Sequence, residues 1–257
     1  MAKVIAIANQ KGGVGKTTTS VNLSAGLAEL GKRVLLVDMD PQASATASLG
    51  ISRSGLYKSI TQVLSREIAT VDAIMTLDEL GFDVLPATID LAHIEVNVPV
   101  DDRESLLRNT LEPVRASYDY ILVDSPPSLG FLTLNTLYAA DSVLIPVQCQ
   151  FLAIDGLTQL LNTIRLVQKQ HKANNRTLSI EGVLLTMLDR RTKAGWEIVH
   201  DIHDYFKEGV FDVIITSNVH AQVAPTYGLP VLTYAPRSSS ATRYKALARE
   251  VLKNNEG

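Results

Sequence analysis

The chain has 257 residues, of which 46% are hydrophobic, and α/β domains of this size are often single, so we expect residues 1–257 to form one domain. The net charge of −3 disfavours a globally basic nucleic-acid binder, but it allows a local basic patch. Aromatic residues make up only 5% of the chain, which argues against a protein that stacks bases along single strands.

Short, β-branched apolar runs alternate with longer helical patterns along the chain. Buried strands are predicted over residues 4–8, 34–37, 120–123, 143–147, 183–187 and 213–215. Helices are predicted over residues 17–30, 103–116, 131–139, 157–170, 196–206 and 242–253. Continuous apolar strands are typical of a parallel sheet covered on both faces. The order predicts an open, doubly wound, mainly parallel α/β sheet, which binds ligands at the carboxyl ends of its strands.

A glycine-rich loop joins the first predicted strand to the first helix, where residues 11–18 read Lys-Gly-Gly-Val-Gly-Lys-Thr-Thr. Glycines let successive N–H groups turn toward phosphate oxygens, and the helix N-terminus adds its positive dipole end. We expect Lys16 to reach the β and γ phosphates of a nucleotide and the Thr17 hydroxyl to bind Mg²⁺. A loop with two solvated lysines is the alternative, and the match of eight consecutive positions in this context disfavours it.

Carboxylates follow two later strands. Asp38 ends the second predicted strand, with Asp40 two residues further on, and Asp124 follows four apolar residues at the end of the third. The last arrangement is typical of a Walker B strand, so we expect Asp124 to accept a hydrogen bond from a Mg²⁺-bound water or from Thr17. The alternatives are that Asp38 or Asp40 caps a helix starting near Ala43, and that Asp124 is a turn residue.

The loop departs from the standard Walker A pattern at Gln10, where that pattern has glycine. It resembles the deviant Walker A motif, Lys-Gly-Gly-x-Gly-Lys-Thr, of the ParA/MinD superfamily of P-loop ATPases. Residues 38–42, 124–127 and 224–230 are also similar to family segments, and the resemblance to small ParA proteins of the Soj type covers nearly the whole chain. It includes no added N-terminal DNA-binding domain, so we expect none.

The resemblance implies the roles of individual residues. It implies three catalytic residues: Lys11, which reaches the partner's phosphates across a dimer interface, Lys16, and Asp40, which positions the attacking water while Asp38 supports the site. The implied metal residues are Thr17, Asp40 and Asp124. The implied nucleotide contacts are Lys11, Gly12, Gly13, Val14, Gly15, Lys16, Thr17, Thr18, Met187 and Asn218.

The resemblance also implies a cycle. ATP and Mg²⁺ drive formation of a sandwich homodimer that binds double-stranded DNA without sequence preference, and a ParB-like partner stimulates slow hydrolysis that resets the protein. The family's late segment commonly carries two arginines where this chain has Ser217 and His220, which weakens the DNA expectation. The remaining basic candidates are Arg190, Arg191, Lys193, Arg243, Lys245 and Arg249. For the last helix, an ordinary solvated face explains its basic residues equally well.

Neither a signal peptide nor an apolar run long enough to cross a bilayer is recognisable, so we expect a cytoplasmic, nucleoid-associated protein without stable membrane association. Two alternatives within the superfamily are a MinD-like regulator at the membrane and a positioning ATPase for a non-chromosomal cargo. The first needs an amphipathic tail, and residues 252–257 lack exposed bulky apolar side chains. A metabolic synthetase is a third alternative, whereas an iron–sulfur reductase is disfavoured because Cys149 is the only cysteine.

Overall fold

A computed structural model describes residues 1–97, 104–150 and 153–256 of the chain. Its strands are β1 (Lys3–Ile7), β2 (Val34–Asp38), β3 (Met75–Leu77), β4 (Phe82–Leu85), β5 (Tyr120–Asp124), β6 (Ser142–Gln148) and β7 (Ser179–Thr186). The helices in this part of the chain are α1 (Lys16–Glu29), α2 (Ser44–Ser48), α3 (Ile60–Leu64), α4 (Thr70–Ala73), α5 (Ile94–Asn97), α6 (Leu106–Leu111), α7 (Phe131–Ala139), α8 (Ala153–Ala173), α9 (Lys193–Phe206), α10 (Val219–Val223), α11 (Val231–Tyr234) and α12 (Ser239–Glu256).

The strands form one sheet in the order β3-β4-β2-β5-β1-β6-β7, and every neighbouring pair is parallel except β3 and β4. Successive strand residues face opposite sides, so Leu35 and Val37 join the core on one face and Val34 and Leu36 join the core on the other. The predicted doubly wound, mainly parallel α/β sheet with helices on both faces is confirmed.

The register of the central strands positions the site. Asp124 pairs with Ile7 on β1 and with Asp38 on β2. The carboxyl ends of β1, β5 and β2 therefore lie level with one another, and the loops that leave them meet at one edge of the sheet.

The prediction of a strand over residues 213–215 was wrong. The segment runs beside β7 between two isolated bridges, Val183 to Val210 and Leu188 to Thr216, and the N–H of Ile215 donates to the Leu185 carbonyl at 2.9 Å. The N–H groups of Asp212 and Val213 instead donate to the carboxylate of Glu250, at 2.6 and 3.1 Å. Because these donors are used by α12, the segment does not continue as a ladder.

The predicted helix over residues 103–116 is shorter and interrupted, and residue 103 lies outside the described residues. The α-helical part is α6, and a 3₁₀ turn over Glu112–Ser117 follows it. Pro113 explains the change because proline has no N–H to donate and restricts the residue before it. The hairpin of β3 and β4, whose strands have three and four residues, was not predicted from the sequence.

Candidate functional site

The glycine-rich loop lies between the end of β1 and the start of α1. Gly13 and Gly15 have φ angles of 73° and 91°, which glycine adopts without the strain of a side chain. The Asn9 carboxamide braces the loop, because its Nδ2 donates to the Pro146 carbonyl at 2.7 Å and its Oδ1 accepts from the N–H of Lys11 at 3.0 Å. These bonds fix the loop to the neighbouring strand β6.

The loop presents a set of free donors. Among the described residues, no partner accepts from the backbone N–H groups of residues 12–18, and the first of α1's own hydrogen bonds begins with Thr19 donating to Gly15. Lys16 is buried, and its Nζ donates to the Lys11 carbonyl at 3.2 Å. Burial lowers the pKa of Lys16, while Asp124 and Asp40 oppose that shift. Unpaired amides around a buried ammonium form a site for a polyphosphate anion.

Asp124 connects the end of β5 to the first turn of α1. Its carboxylate accepts from the Thr17 hydroxyl at 2.8 Å and from the Ser20 hydroxyl at 2.7 Å, and it is fully buried. Burial raises the pKa of Asp124, and the nearby carboxylate of Asp38 raises it further. The predicted pairing of Thr17 with Asp124 is present in the structure.

Asp38 and Asp40 have different surroundings. Asp38 is fully buried, and its carboxylate accepts from the N–H of Asp40 and from both the N–H and hydroxyl of Thr46. Burial also raises the pKa of Asp38. Asp40 accepts from the N–H of Gln42 at 2.9 Å. The N-cap residue of α2 is Ala43, and Asp38 accepts from Thr46 within the first turn of that helix. Asp40 lies in the loop that this contact closes.

The donor set fits Mg²⁺. Two buried carboxylates repel each other at the strand ends, which a cation would relieve, and hydroxyl and carboxylate oxygens are ligands that Mg²⁺ prefers. Within residues 1–97, 104–150 and 153–256, no group of three His, Cys, Asp or Glu side chains could hold a metal ion alone. Proteins usually hold Mg²⁺ with one or two carboxylates together with substrate phosphates.

An open cleft of about 790 Å³ lies beside the loop, and Met187 and Asn218 are among the residues that line it. Met187 follows β7 and lies close to the glycine loop. A Cβ atom placed on Gly15 would be 3.7 Å from the Met187 Cε atom. The Asn218 carboxamide accepts from the N–H of His220 and donates to the Ser239 hydroxyl. The cleft therefore brings Met187 and Asn218 together, and the Asn218 side chain already has partners.

The basic candidates fall into separate groups. Arg190 and Arg191 line the same cleft, and exposed Lys193 begins α9. Arg191 forms a two-bond ion pair with Asp189, at 2.9 and 2.8 Å. This pairing was not predicted, and it neutralises part of the expected positive patch.

The basic residues of α12 do not share one face. Lys245 lies about 160° around the helix from Arg243, by the period of roughly 100° per residue, and Arg249 lies one turn beyond Lys245. Lys245 also pairs with Glu29 on α1 at 2.8 Å, so it is less free than the sequence indicated. Arg243, in contrast, is one turn from Ser239, which binds Asn218 at the cleft.

Several supporting residues were not predicted. Ser20 shares Asp124 with Thr17, and the three-residue spacing on one helix is a signal that could have identified it. Thr186 donates to the Val14 carbonyl at 2.8 Å and ties the loop to β7. The contacts of Thr186 and Thr46 join residues that are distant in sequence or separated by a loop, and they depend on the tertiary fold.

We expect Asp124→Asn to stabilise the protein in the absence of nucleotide and Mg²⁺. Because the folded-state pKa of Asp124 is raised, its proton stabilises the fold below pH about 4, and this stability is lost as pH rises through the raised value. Asparagine does not ionise, so the melting temperature at pH 8 should rise by roughly 3–6 °C and the difference should vanish near pH 4. Circular dichroism melts with EDTA measure both.

The matched control is Asp119→Asn. Asp119 is near the surface, and hydrogen bonds from Arg33 lower its pKa to about 2, the opposite direction. This substitution should give no stabilisation at pH 8. A melting temperature of Asp124→Asn that is equal to or below that of the unmodified protein at pH 8 would mean that the ionised Asp124 does not destabilise the fold.

The sheet and the glycine loop define a P-loop protein of the α/β class. A family model described as an AAA domain matches residues 2–180. Sporulation initiation inhibitor protein Soj of Bacillus subtilis (strain 168) is 51% identical over 255 residues, covering 99% of this chain and 100% of the relative. The chromosome partitioning protein ParA of Myxococcus xanthus (strain DK1622) is 45% identical, covering 99% and 89%. The chain belongs to the ParA/Soj family, which confirms the resemblance carried by the deviant loop.

A solved structure from Mycobacterium smegmatis, named cobyrinic acid a,c-diamide synthase, is also similar. It is 35% identical, covers 100% of this chain and 97% of its own, and superposes with a TM-score of 0.86. That protein was solved with a bound ATP analogue and magnesium. The expectation of ATP and Mg²⁺ from the sequence agrees with these ligands.

Proposed function

We propose that this protein is a partition ATPase that binds ATP with Mg²⁺ and hydrolyses it slowly to position DNA. The observation that carries the proposal is the meeting of Lys16, Thr17, Asp124 and Asp40 at the level carboxyl ends of β1, β5 and β2. The similarity to Soj and ParA proteins over the whole chain supports partitioning as the use of that site. We also propose that residues 1–257 form one domain.

Each residue has a distinct part in the proposed reaction. The amides of residues 12–18 would bind the phosphates, and Lys16 would exchange its bond to the Lys11 carbonyl for a phosphate oxygen. Thr17 and Asp124 would hold Mg²⁺, which neutralises charge on the β and γ oxygens when bound. Asp40 would orient the attacking water. Among the described residues, the Asp40 carboxylate accepts only from Gln42, and such loose support is consistent with slow hydrolysis that a ParB-like partner stimulates.

Lys11 is the residue we assign to the dimer. The Lys11 carbonyl accepts a hydrogen bond from the Lys16 Nζ, and the Lys11 side chain is half-buried at the loop. Two lysines at one triphosphate repel each other, and shared phosphates offset that repulsion. Closing two copies face to face would bring the Lys11 of each to the phosphates of the other, so dimerisation would depend on ATP.

We propose that the basic residues around the cleft bind DNA without sequence preference. Arg190, Arg191 and Lys193 lie next to the start of α12, and Arg243 lies on the first turns of that helix. Lys245 and Arg249 would contribute less because they lie on another side of α12. A dimer doubles the number of phosphate contacts, which makes binding steeply dependent on ATP and on salt.

We expect the double variant Arg191→Ala, Arg243→Ala to bind double-stranded DNA at least about tenfold more weakly, with a salt slope shallower by roughly 2 per protomer. ATP affinity should not change. Filter retention of DNA with ATP at several salt concentrations measures the effect. Asp189→Asn should tighten binding because it frees Arg191 from its ion pair.

The control for this experiment is Arg33→Ala. Arg33 is exposed but lies just before β2, at the amino ends of the strands, where it pairs with Asp119. DNA retention should not respond to its removal. Equal retention by the double variant and the unmodified protein would exclude this patch.

The MinD-like alternative requires attachment to a membrane surface. No helix in the described part of the chain is both long and apolar enough to span a bilayer. The apolar side chains Tyr244, Leu247 and Val251 of α12 are buried in the core, which leaves few for a lipid surface. Sedimentation with anionic liposomes and ATP tests this, and we expect the protein to remain in the supernatant.

Two further alternatives concern what the ATPase serves. The name of the Mycobacterium smegmatis protein describes a synthase, so analysis of reaction products beyond ADP and phosphate tests a metabolic role. A cargo other than a chromosome uses the same ATP site, because the fold does not specify the cargo. An adjacent gene for a ParB-like protein would favour DNA as the cargo.

A further inference from the structure

We propose that Thr46 is a positioning residue for ATP hydrolysis, acting through Asp38 on Asp40. The inference rests on the proposed ATPase function and concerns the loop between β2 and α2. Thr46 lies in α2 and is fully buried, six positions after Asp40 along the chain.

The Asp38 carboxylate closes this loop into a ring. Its Oδ1 accepts from the N–H of Asp40 at 3.1 Å. Its Oδ2 accepts from the N–H of Thr46 at 2.8 Å and from the Thr46 hydroxyl at 2.7 Å. One buried carboxylate therefore joins the two ends of the segment that carries Asp40.

The Thr46 hydroxyl has a fixed direction. It accepts from the N–H of Ala87, which follows β4, at 2.9 Å. An N–H group can only donate, so the hydroxyl must use its own proton toward Asp38. The Thr46 hydroxyl thus links the ring to the segment after β4 and gives Asp38 one of its three hydrogen bonds.

That bond matters because Asp38 is under electrostatic strain. It lies buried and paired in register with Asp124, another carboxylate, and hydrogen bonds to its charged form are what oppose the repulsion. With the hydroxyl removed, Asp38 would lose a donor and the Ala87 N–H would lose its acceptor. We infer that the ring loosens and that Asp40 no longer holds the attacking water in line.

Of the two parameters of the ATP reaction, we expect turnover to change and ATP affinity to stay nearly constant. Thr46 hydrogen bonds to Asp38 and Ala87 and to none of the loop residues 12–18 that would bind the phosphates. A purely structural role would lower stability and ATP affinity together. A positioning role lowers kcat while the Kd for ATP stays nearly constant, because a misplacement near 1 Å can cost up to about 100-fold in rate.

The test compares Thr46→Val, which keeps the shape and removes the hydroxyl, with Thr46→Ser, which keeps the hydroxyl. We expect Thr46→Val to lower kcat by at least about tenfold with the Kd for ATP·Mg²⁺ within about threefold of the unmodified protein. Thr46→Ser should retain kcat within about threefold. Steady-state phosphate release and calorimetry on the full chain measure the two quantities.

Unchanged kcat in Thr46→Val, or equal losses in the valine and serine variants, would overturn the proposal. If Thr46→Val does not fold, Thr46→Cys supplies a weak donor, and its kcat should fall below that of Thr46→Ser. A cysteine variant as active as the serine variant would also overturn it. Absence of ATP hydrolysis by the unmodified protein in the same assay would instead refute the proposed function.

Discussion

Lys16→Ala is expected to lower the affinity for ATP·Mg²⁺ by at least about 100-fold, because it removes the only ammonium that the glycine loop holds in a buried position. The side chain is already desolvated in the free protein, so a phosphate that replaces the Lys11 carbonyl gains a charge-assisted bond at little further desolvation cost. The amides of residues 12–18 remain in the variant, so some weak anion binding should persist.

Calorimetric titration with ATP and Mg²⁺ measures this loss. The matched control is Lys32→Ala, since Lys32 follows α1 just before β2, at the amino ends of the strands, and pairs with Glu256 near the surface. The control should bind ATP as the unmodified protein does. Equal affinity of Lys16→Ala and the unmodified protein would mean that the glycine loop is not the phosphate site.

The second large effect is expected for Asp40→Ala, which should lower ATP hydrolysis by at least about 100-fold and leave ATP affinity within a few-fold. Asp40 is nearly buried and lies near Lys16, but the amides of the loop, not Asp40, would carry most of the contacts to phosphate. The variant should therefore accumulate in the ATP-bound state.

Phosphate release and nucleotide affinity, measured on the same preparation, separate the two effects. Asp72→Ala is the control, because Asp72 is exposed on α4 and remote in sequence from the loops that form the site. Hydrolysis by Asp40→Ala at the unmodified rate would remove Asp40 from the proposed mechanism. A loss of ATP binding equal to the loss of hydrolysis would assign Asp40 to binding.

The elements that position the site could be predicted because they depend on local sequence. The glycine loop, its helix and the central strands follow from apolar runs bounded by glycine and aspartate, and the structure confirms the α/β sheet that they imply. The pairing of Thr17 with Asp124 was also predictable, since a strand-end carboxylate beside such a loop has few other partners.

Two features that the sequence did not predict depend on carboxylates that take up donor groups. The segment over residues 213–215 reads as a strand, but Glu250 on α12 accepts from the N–H of Val213 and from that of Asp212 just before it. Arg191 reads as a free cation, but Asp189 pairs with it once the turn after β7 forms. In both cases a carboxylate competes for the donors, and the apolar pattern carries no information about that competition.

We propose that ATP closes two copies of the chain on each other, and sedimentation velocity of the Asp40→Ala protein measures this closure. We expect a monomer with ADP, a dimer with ATP and Mg²⁺, and a monomer under both conditions when Lys11→Ala is added. A protein that remains monomeric with saturating ATP, or one whose dimer does not depend on the nucleotide, would rule out ATP-driven dimerisation.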